Sequence, residues 1–146
     1  MKLNQNFIRK TNSPEETLLL GEEIAKSLEL GDVLCLNGDL GAGKTHFVKG
    51  IARGLGVNES YVNSPTFTLI NEYRGSLPIY HFDAYRIKSD QEVVELGVDE
   101  YFYGDGICII EWPEKMKNFL PEKSVHITIQ KDNESSRTFK FECKST

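Results

Sequence analysis

The sequence contains few of the features on which specialised protein classes depend. Its 146 residues include three cysteines, five prolines and one tryptophan, and no apolar run is longer than four residues. Runs this short exclude a membrane-spanning helix, and the N-terminal MKLNQNFIRKTN lacks the apolar stretch of a signal peptide. The 12 glycines form no repeat and 39% of the residues are hydrophobic, which excludes collagen-like and disordered chains. We therefore expect one cytoplasmic domain over residues 1–146 that contacts no membrane.

The three cysteines indicate neither a disulfide framework nor a metal site. Cys35, Cys108 and Cys143 are odd in number and far apart, and no two of them form a CxxC pair. The first two lie inside short apolar runs. We therefore expect free, buried thiols.

Charge is distributed unevenly along the chain. The net charge of −5 argues against a protein that holds nucleic acid by its own phosphate contacts. Residues 90–114 contain eight acidic residues and no basic residue. This acidic segment suits a cation or a basic partner, and a solvated acidic face explains it equally well.

Helix and strand patterns alternate in the first half of the chain. Ser13-Pro14-Glu15-Glu16 has the residues of an N-cap and capping box, which predicts a helix from there to about Leu28. The continuous apolar run at 33–36 is typical of a parallel strand that is covered on both faces. After a glycine-rich turn, the apolar spacing over residues 44–55 predicts a second helix.

The second half adds an antiparallel feature. Residues 66–73 and 79–83 are rich in strand formers and are separated by RGSLP, which predicts a hairpin. The other predicted elements are a short helix after Ser89 that ends at Gly97, a buried strand at 107–110, and two alternating strands near 125–129 and 139–143.

One motif carries a specific chemical prediction. Gly38 to Thr45, GDLGAGKT, fits G-x-x-x-x-G-K-[ST] between a predicted strand and a predicted helix. The glycines let backbone N–H groups point at phosphate oxygens, Lys44 supplies a cation, and the Thr45 hydroxyl is a Mg²⁺ ligand. We predict a phosphate-binding loop in an α/β, three-layer P-loop NTPase-like fold, with a mainly parallel sheet and an antiparallel hairpin.

Two carboxylates are candidates for the metal and water site of such a loop. Glu111 follows the apolar run at 107–110, and Asp83 follows the weaker strand pattern at 79–82. Ligands of open α/β sheets bind at the carboxyl ends of the strands, where both carboxylates are expected. The sequence leaves open which of the two contacts the ion.

Other polar residues are less specific. Asn63-Ser64-Pro65-Thr66 suits a segment that senses the γ-phosphate, but it also reads as the start of a strand. Arg86 is either a cation for the transition state or an ordinary ion-pair residue. His46, His81 and His126 share no metal-ligand spacing, so ordinary surface or strand positions are expected for them.

The nucleotide base is harder to predict than its phosphates. A guanine-reading [NT]-K-x-D motif is absent, so adenine is favoured by default. Thr11 and Lys131, both at segment ends, are candidates for lining its pocket. The residues expected to contact the nucleotide are Thr11, Asp39, Leu40, Gly41, Ala42, Gly43, Lys44, Thr45, His46 and Lys131.

The order of motifs along the chain resembles that of a known family. The motifs are GDLGAGKT, NSPTFTLINEY from Asn63, YHFDAYR from Tyr80, ELG from Glu95 and IEWP from Ile110. Together they cover about residues 7–130 and look like the TsaE (YjeE) family, small bacterial P-loop ATPases needed for threonylcarbamoyladenosine modification of tRNA. Only the first motif is widely shared with other P-loop proteins.

The resemblance implies a more detailed function. Family members bind ATP with Mg²⁺, hydrolyse it slowly alone, and act with the TsaD and TsaB proteins, which would hold the tRNA. By position, Lys44 would hold phosphates, Thr45 and Glu111 would serve Mg²⁺, and Asp83 would complete the metal and water shell. From the charge count alone, we add the hypothesis that residues 90–105 dock on a basic surface of a partner. The remaining implied roles are a switch-like loop of Ser64, Pro65 and Thr66, and a position beside the metal site for Trp112, which its own sequence context predicts as a buried strand-end aromatic.

The predicted function is thus an ATPase in which Lys44, Asp83 and Glu111 are the catalytic residues. A P-loop small-molecule kinase is the first alternative, although residues 84–106 contain one arginine where a lid usually has several. The second alternative is a nucleotide-gated binding module without catalysis. A GTPase ranks last because the guanine motif is missing.

Overall fold

The computed structural model describes residues 5–39, 42–62 and 69–144, which form seven strands and four α-helices. The strands are β1 (Phe7–Thr11), β2 (Val33–Asn37), β3 (Ile70–Arg74), β4 (Pro78–Asp83), β5 (Ile107–Glu111), β6 (Ser124–Lys131) and β7 (Arg137–Lys144). The helices are α1 (Pro14–Ala25), α2 (Lys44–Gly54), α3 (Asp90–Leu96) and α4 (Val98–Phe102). The candidate residues Leu40, Gly41, Ser64, Pro65 and Thr66 lie outside the described residues.

The strands form one mixed sheet in the order β1-β7-β6-β2-β5-β4-β3. The four central strands, β6, β2, β5 and β4, are parallel to one another. The predicted hairpin is confirmed as the antiparallel pair β3–β4, and β6, β7 and β1 form an antiparallel extension at the other edge. β1 was missed by the sequence pattern because it is a short edge strand with an exposed Ile8, so it lacks the apolar run of a buried strand.

Helices cover both faces of the sheet. Alternate residues of β2 point in opposite directions, so Leu34 and Leu36 pack with α1 and α2 while Val33 and Cys35 pack with α3 and α4. β5 divides its side chains in the same way. The predicted three-layer α/β arrangement is confirmed, and it explains why these central strands are continuously apolar.

Both predicted helix caps are present. The Ser13 hydroxyl accepts a hydrogen bond from the Glu16 N–H at 3.1 Å, and Ser89 caps α3. α3 ends at Gly97, whose φ of 68° lies in the left-handed region that favours glycine. α1 ends before the predicted Leu28 because the chain tightens there into i→i−3 hydrogen bonds, yet Leu28 stays buried.

The cysteines agree with the expected chemistry in two of three cases. Cys35 and Cys108 are buried thiols outside any disulfide, whereas Cys143 is partly exposed. Burial, with a smaller contribution from Cys35, raises the pKa of the Cys108 thiol to about 12, so this thiol is not a nucleophile near neutral pH. None of the helices in the described part of the chain is long and apolar enough to cross a membrane.

α1 and α2 cross at a point where both helices carry glycine. A Cβ atom added at Gly50 would overlap the carbonyl oxygen of Leu18 and come within 3.0 Å of the Cα atom of Gly21. The two backbones therefore touch without an intervening side chain. Because α2 begins at Lys44, this contact fixes the direction of the helix that follows the glycine-rich loop.

Gly50→Ala tests the close helix contact. Alanine gains about 1 kcal/mol over glycine in a helix interior. Overlap with backbone atoms that no rotamer change relieves outweighs this gain, so we expect a net loss of about 1–3 kcal/mol in unfolding free energy, measured by chemical denaturation. Lys49→Ala on the same helix is the control, and equal or higher stability of the Gly50 variant would contradict the close contact.

Candidate functional site

A cavity of about 440 Å³ lies at the carboxyl ends of the central parallel strands. It is bordered by the start of α2, by the last residues of β4 and β5, and by the turn between β6 and β7. The sequence-predicted residues that line it are Gly43, Lys44, Thr45, His46, Asp83, Glu111 and Trp112. Residues separated by up to 69 positions in the sequence are thus brought to one site.

The end of the glycine-rich loop is fixed by a backbone hydrogen bond and by a glycine in the left-handed region. The N–H of Ala42 donates to the carbonyl oxygen of Asp39 at 3.0 Å, and Ala42 is buried while Asp39 is exposed. Gly43 has a φ of 101°, a conformation that L side chains rarely adopt. α2 begins at the next residue, so Gly43 lets the chain turn directly into the helix whose N-terminus faces the cavity.

Lys44 is buried and held by two contacts. Its ammonium group donates to the carbonyl oxygen of Gly38 at 2.8 Å and lies 4.2 Å from the ring centroid of Trp112. The carbonyl and the aromatic face both stabilise a cation in this position. The charge is therefore fixed inside the cavity rather than exposed to water.

Trp112 has an unusual backbone. It directly follows β5 and is the one non-glycine residue with a left-handed φ, 59°, in the part of the chain that the structure describes. Such a conformation costs about 1–3 kcal/mol and persists when the surroundings enforce it. The ring packs on Tyr85 at a centroid distance of 5.0 Å and covers Lys44. It is half-buried at the cavity wall and not the buried strand-end aromatic that its sequence context predicts.

The two candidate carboxylates end neighbouring strands. Asp83 and Glu111 are partners in the parallel register of β4 and β5, so both side chains reach the same cavity. The Asp83 carboxylate accepts the N–H of Tyr85 at 2.9 Å, two residues further along its own chain. Glu111 is buried and interacts with a side chain from β4.

That side chain is His81, for which the sequence predicts an ordinary strand position. His81 Nε2 lies 2.6 Å from Glu111 Oε2, and His81 Nδ1 lies 3.0 Å from the hydroxyl oxygen of Tyr73. All three side chains are buried. A period of two along the strand was the available signal, since it places His81 on the same face as Asp83.

Arg137, at the start of β7, is the cation that sequence reasoning missed. Its Nε donates to the carbonyl oxygen of Ala42 at 2.9 Å, and its Nη1 donates to the carbonyls of Asn133 at 2.9 Å and Ser136 at 3.1 Å. Arg137 thereby joins the β6–β7 turn to the glycine-rich loop, and it lines the cavity. Arg86, the predicted alternative, lines a separate cleft.

Two residues predicted to line the nucleotide pocket do not line the cavity but contact residues that do. The Thr11 hydroxyl is 2.8 Å from that of Thr17, and Thr17 lines the cavity. Lys131 Nζ lies 3.5 Å from a carboxylate oxygen of Glu134, another lining residue. No pattern in the sequence identifies Thr17 or Glu134 as a lining residue.

Comparisons with known proteins identify the family. The family model "Threonylcarbamoyl adenosine biosynthesis protein TsaE" matches residues 11–139. The chain belongs to the TsaE family. It is 47% identical over 133 residues to the tRNA threonylcarbamoyladenosine biosynthesis protein TsaE of Bacillus subtilis, with 90% of this chain and 82% of that protein covered. The corresponding Treponema pallidum protein is 44% identical over 120 residues, covering 82% of this chain and 88% of the relative.

A solved structure supports the same assignment. The crystal structure of Bacillus subtilis YdiB superposes with a TM-score of 0.79 at 38% identity, covering 97% of this chain and 87% of that one. The TsaE match begins at Thr11 and ends at Phe139, so it includes the whole described lining of the cavity. The resemblance predicted from the five motifs is confirmed.

Arg137→Ala tests the link between the β6–β7 turn and the loop of this TsaE-family protein. We expect a loss of about 1.5–3 kcal/mol in unfolding free energy, because hydrogen bonds from a charged donor to backbone carbonyls are removed together. Arg137→Lys should recover little of it, since an ammonium group cannot reproduce the guanidinium fork. Arg74→Ala, at a side chain that is 87% exposed, is the control. Equal denaturation midpoints for the Arg137 and Arg74 variants would contradict the link.

Proposed function

We propose that the protein is a Mg²⁺-dependent ATPase that acts with TsaD and TsaB proteins in the formation of threonylcarbamoyladenosine in tRNA. The observation that carries the ATPase proposal is the shared cavity of Lys44, Thr45, Asp83 and Glu111. It combines a fixed cation, a helix N-terminus and carboxylates in a single pocket. These are the groups that phosphoryl transfer to water requires.

Phosphate binding is assigned to the loop and to the first turn of α2. The N–H groups at the start of a helix have no partner within it, and they favour an anion together with the helix dipole. Lys44 adds a full charge within the same cavity. These groups would stabilise the charge that spreads over the phosphate oxygens in the transition state.

The donor atoms of the cavity fit Mg²⁺. Thr45, Asp83 and Glu111 offer hydroxyl and carboxylate oxygens, the hard ligands that this ion prefers. Among the described residues, no group of three or more His, Cys, Asp or Glu side chains is placed to hold a metal alone. The ion would therefore be shared between Thr45, Glu111 and the phosphate oxygens, with Asp83 completing the metal and water shell. When bound, it would supply charge neutralisation at the transferring phosphate.

The pathway assignment rests on the relatives. Their names place them in tRNA threonylcarbamoyladenosine biosynthesis. With a net charge of −5, this chain is poorly suited to hold tRNA itself, so we assign that task to the partners. ATP hydrolysis would then reset a conformational state of the complex.

Lys44→Ala and Glu111→Ala separate nucleotide binding from turnover. We expect Lys44→Ala to abolish ATP binding, because the buried lysine proposed to hold the phosphates is lost. Glu111→Ala should retain ATP but lower Mg²⁺-dependent hydrolysis roughly 100-fold or more, since one of the proposed metal ligands is lost. Binding is measured by titration calorimetry and turnover by released phosphate, with Lys26→Ala, at an exposed lysine, as the control. Full hydrolysis by either variant would refute the proposed site.

The same assay distinguishes the alternative functions. Phosphate appearing on an added small acceptor instead of in water would indicate a kinase. Tight ATP binding without hydrolysis, in the presence of TsaD, TsaB and tRNA, would indicate a binding module. Either result would replace the ATPase proposal.

The partner proposal predicts a specific role for the acidic surface. Glu95 and Asp99 are exposed on α3 and α4, within a segment that carries no basic residue. Glu95→Lys with Asp99→Lys should weaken binding to the TsaD–TsaB pair, most strongly at low salt, and should reduce its stimulation of hydrolysis. Glu29→Lys with Glu122→Lys makes the same change in net charge elsewhere and should bind normally. Equal affinities for the two double variants would exclude this docking surface.

A further inference from the structure

A line of buried polar side chains crosses three neighbouring strands and ends at the cavity. Tyr73 on β3, His81 on β4 and Glu111 on β5 are 6%, 1% and 6% exposed. The hydroxyl oxygen of Tyr73 lies 3.0 Å from His81 Nδ1, and His81 Nε2 lies 2.6 Å from Glu111 Oε2. The surrounding cluster on this face of the sheet is apolar.

The strand register produces this line. Tyr73 pairs with Ile79 across the antiparallel ladder, and His81 pairs with Ile109 across the parallel one. His81 and Glu111 each lie two residues beyond those partners, and the side-chain period of two keeps them on the face that α1 and α2 cover. The diagonal line of these three side chains therefore follows from the strand register, and it depends on no loop residue.

Hydrogen-bond polarity gives the line a direction. A carboxylate only accepts hydrogen bonds, so His81 Nε2–H donates to Glu111 Oε2. With that tautomer, His81 Nδ1 accepts the phenolic hydrogen of Tyr73. Both ring nitrogens are satisfied, and the imidazole is held in one orientation from both sides.

We propose that His81 is a positioning residue that fixes the Glu111 carboxylate through Oε2 and presents Oε1 to the metal and water in the cavity. Tyr73 fixes the tautomer and the ring plane of His81. The proposal rests on the proposed ATPase function and specifies how that site is oriented. Asp83 is held differently, because its carboxylate accepts the backbone N–H of Tyr85 from its own loop.

The cost of burial supports a role beyond packing. Polar groups in an apolar layer cost free energy unless they are paired, and apolar residues of similar size would fill the same positions without that cost. The line ends at a side chain that lines the cavity. A glutamate has three rotatable bonds, so a hydrogen bond that fixes its carboxylate contributes directly to metal and water geometry.

Three substitutions test the proposal. His81→Leu removes both contacts, His81→Gln keeps an N–H donor for Glu111, and Tyr73→Phe removes only the hydroxyl. The readouts are ATP affinity in EDTA, affinity of Mn²⁺ for the protein–ADP complex by electron paramagnetic resonance, and kcat with TsaD and TsaB present. Thermal denaturation checks that each variant is folded.

We expect His81→Leu to lower Mn²⁺ affinity or kcat by about 10- to 100-fold while ATP affinity in EDTA stays near the wild-type value. His81→Gln should recover most of the lost Mn²⁺ affinity or kcat. Tyr73→Phe should have values between those of His81→Gln and the wild type. Equal loss in the Gln and Leu variants, or no loss in Leu, would overturn the proposal. If His81→Leu does not fold, the other two variants decide. Wild-type metal affinity and kcat in Tyr73→Phe, together with the loss of about 10- to 100-fold in His81→Gln, would then contradict the proposal.

The experiment separates this proposal from the ATPase proposal. A wild-type protein that binds ATP without hydrolysing it would refute the ATPase function. Mn²⁺ affinity of the same variants would still decide whether His81 positions Glu111.

Discussion

Parallel pairing of β2, β5 and β4 is the constraint on which the rest of the structure depends. In this register Leu36, Glu111 and Asp83 lie side by side at the carboxyl ends of the three strands. The glycine-rich loop leaves β2 at the same edge, so its lysine and the two carboxylates must meet. A shift of one residue in either ladder would turn Glu111 to the opposite face and leave the cavity without it.

The glycine-rich loop is held on two sides by contacts that involve backbone atoms. Behind it, the close approach of Gly21 and Gly50 fixes the crossing of α1 and α2. Beside it, Arg137 donates to the carbonyl of Ala42 and so connects the loop to the antiparallel extension of the sheet. The extension formed by β6, β7 and β1 is thus part of the site's support, although it contributes few predicted residues to the site.

The elements predicted from the sequence were those with strong local signals. The caps at Ser13 and Ser89, the apolar runs of β2 and β5, and the hairpin turn each depend on neighbouring residues, and all were found. The features that the sequence did not predict depend on tertiary structure. β1 gains its partner from the far end of the chain, and Arg137 owes its role to a turn that folds against a loop about 95 residues earlier. His81 looked ordinary because its partners are on two other strands.

The two carboxylates of the site differ in the surroundings that the fold gives them. Asp83 is half-buried where β4 ends, and the hydrogen bond from Tyr85 ties it to a local turn. Glu111 is buried, and its carboxylate accepts a hydrogen bond from the imidazole of His81. Trp112 follows Glu111 in a left-handed conformation, and its ring covers Lys44. The buried carboxylate therefore belongs to the central strand, and the half-buried one belongs to the strand of the hairpin. In the proposed site, this difference would let Glu111 set the geometry of the metal ion while Asp83 completes the metal and water shell.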